Sequence, residues 1–589
     1  MSASKPNVEK QAGPPGEICY LGQHKRQYLI ASRAGVWNLG LMSLGPQNVA
    51  NQLKALGVEF EVVKTIPGRS AAAPLSTLAA GAAKGPEILV ARLKPEQGET
   101  LRLQSASGLS PFIVEHDAPL AYGTATSLKQ TLLGASSACR IDRAKLQSSQ
   151  VRIQVLGEED KPLAGVVVSL YGAGQPSEAV TDENGQAQMP LYSLRAGQAQ
   201  AVMARPKKDY WDLVIRHAEL RLDVPNVIRL RSFGETLPRY NSRGFLSWGQ
   251  EAMMQNQFNG SVDGEGVKIA IIDSGCDNKH PLLQHITLGT DVTDGGQGLG
   301  WTLDPIGHGT HCAGIIAARP ARGFPMRGFA PAAEIHVFKV HPEGRFSDLI
   351  NALDQCIDEG IDIVNVSLGT DEISFLVEQK IQEARQRGIA CVVAAGNSGG
   401  EVQYPARSPQ VLAVAAIGRL ADFPTDSTHA LTVTRIQSSD GIFSPNFTCH
   451  GPQIGVCAPG VAVISTVPGA GFDAMDGTST AAPHITGLAA ILLAHHPLFK
   501  AGLGKERSAA RVDALFGLVK QNAAVLPFGT DRVGAGLPTL AAFSIPGLAR
   551  SAGMQAPVIP LQSLAQPGFF LFQPRNPSPG SYQSAVGLC

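Results

Sequence analysis

The chain has 589 residues, which is too long for a single hydrophobic core, so we expect several domains. Lys and Arg together number 49, as do Asp and Glu. This zero net charge argues against a general affinity for nucleic acid or for an anionic membrane surface. The sequence also lacks an uninterrupted apolar stretch of the length that a membrane span needs.

The N-terminal sequence and the cysteines both favour a reducing compartment. The first residues, MSASKPNVEKQAGPPGE, lack the apolar segment of a signal peptide. The nine cysteines show no paired spacing, and several of them, such as Cys312 and Cys391, lie inside apolar runs. We therefore expect a cytoplasmic protein, with export by another route left open.

The first part of the chain predicts a small α+β domain behind a flexible arm. Residues 1–26 are polar with Pro and Gly and form the predicted arm, and residues 27–122 form the predicted domain. Its predicted strands are 28–32, 58–65, 87–92 and 111–116, and its predicted helices are 46–56 and 95–105. Residues 123–149 are predicted as a linker.

From residue 150 to residue 232 the apolar residues alternate with polar ones, as in VRIQVLG and AVTDENGQAQMPL. This period of two, broken by Lys–Pro and Glu–Asn–Gly turns, predicts a β-sandwich. The stretch resembles small sandwich modules that are attached to many secreted and bacterial proteins. A role as a spacer and a role in docking both remain open.

Residues 233–545 predict an α/β domain with a doubly wound parallel sheet, entered through a short amphipathic helix. The predicted strands are near-continuous apolar runs, as expected for parallel strands that are buried on both faces. They are 267–272, 335–340, 361–366, 389–394 and 411–415, and the helices between them are 308–318, 347–359 and 374–387. Ligands of such sheets bind beyond the carboxyl ends of the strands. Residues 546–589 are rich in Pro, Gly, Ser and Gln and predict a poorly ordered tail.

The stretch DGTSTAAPHITG places Ser479 in a turn just before a long apolar run that predicts a buried helix. The N–H groups at a helix N-terminus favour developing negative charge. A serine there can attack a carbonyl and offer its own N–H to the resulting oxyanion. Pro483 is predicted in the first turn of this helix, where a missing N–H costs nothing. Taken alone, the motif favours an ordinary helix cap for Ser479 over a nucleophile.

Three further motifs place polar side chains at the same edge of the predicted sheet. VKIAIIDSG ends a strand on Asp273, GHGTHCAGIIAA begins a helix with His308, and VVAAGNSG ends a strand on Asn397. Each alone fits a turn residue or a structural histidine. Together they supply a carboxylate, a base and an amide donor, which is the set that a serine nucleophile needs. His311 and His484 are expected to be structural, or to contact the reacting residues without taking part in the reaction.

These motifs, in the order Asp273, His308, Asn397 and Ser479, resemble those of the subtilisin-family (subtilase) serine proteases. The resemblance extends from about residue 260 to residue 542 and includes NVSLG, VCAPG and VGAG. It implies a serine endopeptidase of proteins or peptides, with no cofactor. Asp273 would orient His308, His308 would act as general acid and base, Ser479 would be the nucleophile and Asn397 would support the oxyanion.

The resemblance also implies that Ser367, Leu368 and Gly369 form one wall of the pocket for the P1 side chain and pair with the substrate backbone. The sequence departs from the family in four places. Thr480 replaces a frequent methionine, the short stretch after Asn397 leaves the pocket floor undefined, and residues 419–443 are an insertion. The calcium loops are not recognisable, and since Asp291 and Asp294 are too few to form a metal site, we predict none.

The predicted domain at residues 27–122 resembles a subtilase propeptide and ends in PFIVEHDAPLAYG. The resemblance implies an intramolecular inhibitor, with residues 117–123 in the substrate cleft and Tyr122 or a neighbour in the P1 pocket. The alternative is a permanent accessory domain that packs elsewhere.

Two further alternatives concern the activity itself. The rival to a protease is a catalytically silent scaffold that keeps the fold.

Cys312 lies one helical turn after His308, and Cys276 follows Asp273 by three residues. Bulky thiol reagents are therefore predicted to inhibit by crowding His308, unless both thiols are buried and inert.

Overall fold

The fold is seen in a computed structural model that describes residues 25–33, 49–67, 87–108, 110–120, 146–237, 240, 245–254, 262–293, 299–324, 326–504, 506–543 and 545. All of them belong to one unit, Met1–Ser551. The predicted arm and linker fall almost entirely outside these residues, and Tyr122 and the predicted tail fall wholly outside them. Among the described helices, none has both the length and the apolar character needed to cross a membrane.

The first described region is a four-stranded antiparallel sheet with two helices. Its elements are β1 (Arg26–Ser32), α1 (Val49–Ala55), β2 (Phe60–Ile66), β3 (Ile88–Leu93), α2 (Pro95–Ala106) and β4 (Phe112–His116), with strand order β2-β3-β1-β4. Successive side chains of a strand point to opposite faces. Tyr28 and Ile30 of β1 therefore pack with Leu53 of α1, whereas Leu29 and Ala31 join the core of the α/β region. Both faces of β1 are therefore buried.

The second region consists of two sheets around one core. The strands are β5 (Gln147–Leu156), β6 (Val167–Tyr171), β7 (Ser177–Val180), β8 (Gln186–Ser193), β9 (Gln198–Arg205), β10 (Leu213–Glu219) and β11 (Asn226–Arg229). They form the sheets β10-β9-β6-β7 and β11-β5-β8. Val151, Ile153 and Val155 of β5 are buried in the shared core and alternate with polar residues, as the period of two requires.

The third region is built on a larger, mostly parallel sheet. It opens with the short helices α3 (Phe233–Thr236) and α4 (Trp248–Met254). The strands are β12 (Lys268–Asp273), β13 (Leu288–Asp291), β14 (Glu334–Lys339), β15 (Ile363–Val366), β16 (Ala390–Ala394), β17 (Leu412–Arg419), β18 (Ile442–Phe443), β19 (Ile454–Pro459), β20 (Val463–Val467), β21 (Gly471–Met475), β22 (Ala523–Ala524) and β23 (Leu537–Pro538). The helices are α5 (His308–Ala317), α6 (Phe346–Asp358), α7 (Phe375–Gln386), α8 (Thr478–His495), α9 (Pro497–Lys500), α10 (Ala509–Gln521) and α11 (Thr530–Val533).

The strand order of this sheet is β13-β14-β12-β15-β16-β17-β18, with β19 beside β17. Every pair is parallel except β17 with β18. The chain leaves β12 towards β14 and later returns to its other side with β15, so the carboxyl end of β12 is the switch point where such sheets bind ligands. The predicted α/β class with a parallel sheet is confirmed, and the five predicted strands and the three helices predicted between them lie within a few residues of the observed ones.

Candidate active site

The carboxylate of Asp273 and the imidazole of His308 are hydrogen-bonded at this switch point. Asp273 is the last residue of β12, and His308 is the first residue of α5, directly after Gly307 with its positive φ of 82°. The Nδ1 atom of His308 lies 2.8 Å and 3.0 Å from the two carboxylate oxygens of Asp273. Because a carboxylate accepts, Nδ1 carries the proton and Nε2 is the basic nitrogen.

The surroundings keep this imidazole neutral. Burial lowers the pKa of His308 well below its usual range, and His311 and His341 add to this effect. Burial raises the pKa of Asp273, but hydrogen bonds from the N–H and the hydroxyl of Ser274 oppose that rise. A neutral imidazole beside a hydrogen-bonded carboxyl group can accept a proton from a nearby hydroxyl.

Asp304 and Ser274 hold this pair in place, and the sequence reasoning missed both. Asp304 accepts hydrogen bonds from the N–H groups of Gly307 and Thr310, each at 2.8 Å, and so fixes the start of α5. It also binds the hydroxyl of Ser274 at 2.8 Å. A signal was present, since an aspartate just before a predicted helix is a common cap of its N–H groups.

Ser479 is the second residue of α8 and is 5% exposed. The helix begins at Thr478, earlier than the apolar run suggested, so Pro483 lies in its second turn and not in the first as predicted. A proline lacks the N–H that would bond the carbonyl four residues earlier, which here is that of Ser479. That carbonyl instead accepts from the hydroxyl of Ser367 at 3.1 Å and lies 3.5 Å from the Sγ atom of Cys312.

Asn397 lies three residues after β16 and is oriented by the residue before the serine. Its Oδ1 atom accepts from the N–H of Thr478 at 2.8 Å and from the hydroxyl of Thr478 at 2.9 Å. The amide nitrogen therefore points the other way. A Cβ atom on Gly477 would lie 2.7 Å from Ser479 Oγ and 3.2 Å from Asn397 Nδ2. The hydroxyl and the amide thus face a common space, which glycine leaves open.

The three residues predicted as a pocket wall follow β15 directly. Ser367 and Leu368 are buried, and the hydroxyl of Ser367 is already engaged with Ser479. The side chain of Gln403 lies between two glycines: a Cβ atom on Gly369 would meet its Oε1 at 3.5 Å, and one on Gly396 would meet it at 2.4 Å. Gln403 therefore lies beside the predicted wall.

The other histidines and the thiols at the site are buried. Ring nitrogens of His311 and His484 lie 2.8 Å from the backbone carbonyls of Val463 and Thr480, as structural residues do. Burial raises the pKa of the thiols of Cys276 and Cys312 well above the usual range, which suppresses the reactive thiolate. Their burial favours the alternative of inert thiols.

One group among the described residues has the spacing of metal ligands: Asp273, His308 and Cys312. These are the hydrogen-bonded pair itself and a thiol that burial keeps protonated, so the group does not suit a metal ion. Asp291, which was considered as part of a calcium loop, binds Thr293 and lies 3.8 Å from the ammonium group of Lys339. Asp294 lies outside the described residues.

Comparisons with known proteins place the α/β region among the subtilases. The model of the subtilase family matches residues 264–520. The chain is 35% identical over 243 residues to subtilisin Savinase of Lederbergia lenta, which covers 41% of this chain and 80% of that protein. It is 34% identical over 246 residues to subtilisin E of Bacillus subtilis (strain 168), over 40% of this chain and 57% of that protein. The chain therefore spans little more than half the length of several relatives that it matches.

A solved structure, the S41 psychrophilic protease, aligns with 51% of this chain and 99% of its own chain. The two are 26% identical, and the TM-score is 0.42.

Gly477→Ala should slow the labelling of Ser479 by a fluorophosphonate probe by about 100-fold or more. The added methyl group would fill the space between the hydroxyl and the amide of Asn397. Loss of one oxyanion donor costs about 10²–10³ in kcat, a magnitude that comes from subtilisin itself. Gly517→Ala in α10 is the control, because a Cβ atom there meets nothing within 4 Å. Equal labelling rates for the two variants would show that the space is not used.

Proposed function

The chain belongs to the subtilase family, and from this premise we propose that it is a serine endopeptidase that hydrolyses peptide bonds in proteins or peptides. The observation that carries the proposal is the buried hydrogen bond between His308 and Asp273 beside the start of the Ser479 helix. The Sγ atom of Cys312 lies 4.0 Å from His308 Nε2 and 3.5 Å from the Ser479 carbonyl oxygen. His308 and Ser479 therefore both lie next to this thiol.

Each of the four residues has its own role in the proposed reaction. The Oγ atom of Ser479 attacks the scissile carbonyl while Nε2 of His308 takes its proton, and Asp273 stabilises the imidazolium. The oxyanion accepts hydrogen bonds from the side-chain amide of Asn397 and the N–H of Ser479. His308 then returns the proton to the leaving amine. Water, activated by the same imidazole, releases the acyl group and restores the serine.

The rival function is a silent scaffold that retains the fold. A scaffold has no need for a neutral, buried imidazole on a carboxyl group, nor for an amide turned by Thr478 towards the serine. These costly buried polar arrangements favour the enzyme.

Ser479→Ala should abolish peptide hydrolysis and fluorophosphonate labelling and leave the unfolding temperature nearly unchanged, because only one hydroxyl is lost. Ser444→Ala is a matched control, since its buried hydroxyl has no hydrogen-bond partner among the residues that the structure describes. Hydrolysis by Ser479→Ala within tenfold of the wild type, with contaminating proteases excluded, would rule out this nucleophile.

Substrate choice at P1 would follow from Gln403. With the predicted wall Ser367–Leu368–Gly369 on one side and Gly396 on the other, the Gln403 side chain shortens the pocket. Its amide is held by Asp371, whose Oδ1 accepts from Nε2 at 3.2 Å. We therefore expect small P1 side chains to be preferred to large aromatic ones.

Gln403→Gly should raise kcat/KM for a peptide with Phe at P1, relative to Ala at P1, by about tenfold or more, since filling an added methylene-sized space is worth about 10–200-fold. Gln403→Leu, which keeps the volume, should retain the preference for Ala. An unchanged Phe-to-Ala ratio in Gln403→Gly would place the pocket floor elsewhere.

The N-terminal domain would restrain the enzyme through the helices that flank the site. Glu115, just after the buried part of β4, accepts from the Ser374 hydroxyl at 2.6 Å and the Phe375 N–H at 2.8 Å, at the start of α7. Asp117 accepts from the Ser347 N–H at 2.9 Å, at the start of α6. Two carboxylates thus cap two helix N-termini, where negative charge is favoured.

The chain then pairs through a single antiparallel bridge, Pro119 with Arg345, just before α6. The carbonyl of Ala118 accepts from the Phe346 N–H at 3.1 Å, and the N–H of Leu120 donates to Gly344 at 2.8 Å. Such backbone pairing is how proteases hold extended peptides. Whether Tyr122 reaches the P1 pocket stays a prediction, because it lies outside the described residues. A tethered segment at high effective concentration would keep the enzyme largely silent.

In the full-length protein, the double variant Glu115→Gln/Asp117→Asn should raise the initial rate of peptide hydrolysis by about tenfold or more. Each hydrogen bond to a charged group is worth about 1.5–3 kcal/mol, so their weakening should release the domain. Glu61→Gln, on the exposed part of β2, is the control. Identical initial rates would favour a permanent accessory domain.

The physiological substrates would be proteins or peptides with extended segments. The proposed compartment is a reducing one, in agreement with the six described cysteines, which are buried and form no disulfide.

A further inference from the structure

The insertion predicted at residues 419–443 lies between the β-sandwich and the α/β region. It contains the short 3-10 helices Leu420–Asp422 and Thr428–Thr432 before β18. The N–H of Val214 in the sandwich donates to the carbonyl of Asp426 at 2.7 Å, and Arg231 forms an ion pair with the Asp426 carboxylate. The insertion is therefore part of the surface on which the sandwich docks, together with the hairpin that carries Phe472.

Apolar packing accompanies these polar contacts. Leu431 of the insertion packs against a cluster on one sandwich sheet that contains Tyr171, Met203 and Val214. Buried apolar contact of this kind is typical of domains that stay together, because separation would expose it to water.

His429 lies at the centre of this contact and is 4% exposed. The indole of Trp211 from the sandwich packs edge-on against its ring, with centroids 5.7 Å apart and planes at 81°. The neighbouring Asp212 accepts from the N–H of Thr428 at 3.0 Å and from its hydroxyl. On its other side, Nδ1 of His429 lies 2.7 Å from the Oδ1 atom of Asp476. One side chain thus contacts both the sandwich and the loop before α8.

Asp476 fixes the turn that leads to the serine, which follows it by three residues. Its Oδ1 atom also accepts from the N–H of Ala462 at 2.7 Å. The next residue, Gly477, donates its N–H to the carbonyl of Gly460 at 2.8 Å. The turn is therefore held against the 460–462 segment on one side and by His429 on the other.

The charges around His429 favour its protonated form. Burial by itself lowers its pKa, but the carboxylates of Asp476, Asp212 and Asp473 outweigh burial and raise the pKa to about 9. The raised pKa means that the stabilising ion pair is complete below the ordinary value of 6.5 and is lost as the pH rises through about 9. Burial raises the pKa of the neighbouring Asp473 to about 8, so this group titrates in the same region.

We propose that His429 is a positioning residue that joins the β-sandwich to the nucleophile turn, by packing against Trp211 and hydrogen-bonding to Asp476. The kinetic part of this inference rests on the proposed protease function, whereas the mechanical link between sandwich and turn does not. The sandwich is then a docked part of the enzyme and not a spacer. It acts on the reaction through the position of Ser479 and touches no reacting atom.

The mechanical link is tested by hydrogen exchange in full-length Ser479→Ala protein, which needs no activity. Adding His429→Ala should speed exchange of the amides of Ala462 and Gly477 and of residues 211–214 by about tenfold or more. His217→Ala, an exposed histidine on β10 of the same sandwich, is the control. Unchanged exchange at these amides in a folded His429→Ala protein overturns the proposal, whatever the fate of the protease assignment.

The kinetic consequence is tested in the active chain. His429→Ala should lower kcat by about tenfold or more with KM within about twofold, since small misplacements of reacting groups cost up to about 10²-fold. His429→Asn, whose amide nitrogen stands in for Nδ1, should restore most of kcat at pH 7. We expect kcat of the wild type to decline as the pH rises through about 9, where His429 loses its proton. His429→Asn should not show this decline, because the Asn side chain carries no charge.

These outcomes separate the two hypotheses. A kcat within twofold of the wild type in both variants, with the same alkaline decline, overturns the positioning role while leaving the protease intact. If His429→Ala does not fold, His429→Asn alone decides through its pH profile. If the wild type neither hydrolyses peptides nor reacts with fluorophosphonate, the protease proposal fails and the exchange experiment still decides the link.

Discussion

The first turn of the helix that carries Ser479 is the constraint on which the site depends. The N–H groups of a first helical turn have no partners within the helix, which makes them useful to an oxyanion but leaves the turn weakly held. Pro483 adds a further gap, because the Ser479 carbonyl loses its donor. The molecule compensates from outside the helix: Ser367 bonds that carbonyl, Asn397 bonds Thr478, and Asp476 anchors the preceding turn. Ser479, the proposed nucleophile, is therefore positioned by neighbours from several elements.

The parts of the fold that the sequence predicted are those governed by local pattern. Parallel strands buried on both faces need continuous apolar runs, and these runs were visible. Their carboxyl ends meet at one edge, so Asp273 after β12 and Asn397 after β16 were expected near each other. The run YLIA in β1 also has apolar residues on both faces, which fits a strand that is covered on both sides as β1 is, although only the strand was predicted from the sequence.

The remaining features depend on contacts between residues that are distant in sequence. Gln403 reaches the space between Gly369 and Gly396 because the loop after β16 folds back and pairs at Tyr404 with Thr370, beyond the end of β15. His429 meets Asp476 across 47 residues, within an insertion that has no strong periodicity. The start of α8 was placed too late because a glycine–threonine–serine turn does not show its helical register. Propensity and patterning determine elements, whereas these contacts follow from their packing.

The two additional domains contact the α/β region at different places, and both bury side chains against it. The N-terminal domain caps the starts of α7 and α6 with Glu115 and Asp117 and places Leu29 and Ala31 in the α/β core. The sandwich buries Trp211 against His429, and separation would expose the ion pair of His429 with Asp476 to water. A cut between residues 121 and 145 would leave the contact of Trp211 with His429 within one chain, whereas the contacts of Glu115 and Asp117 would become contacts between two chains.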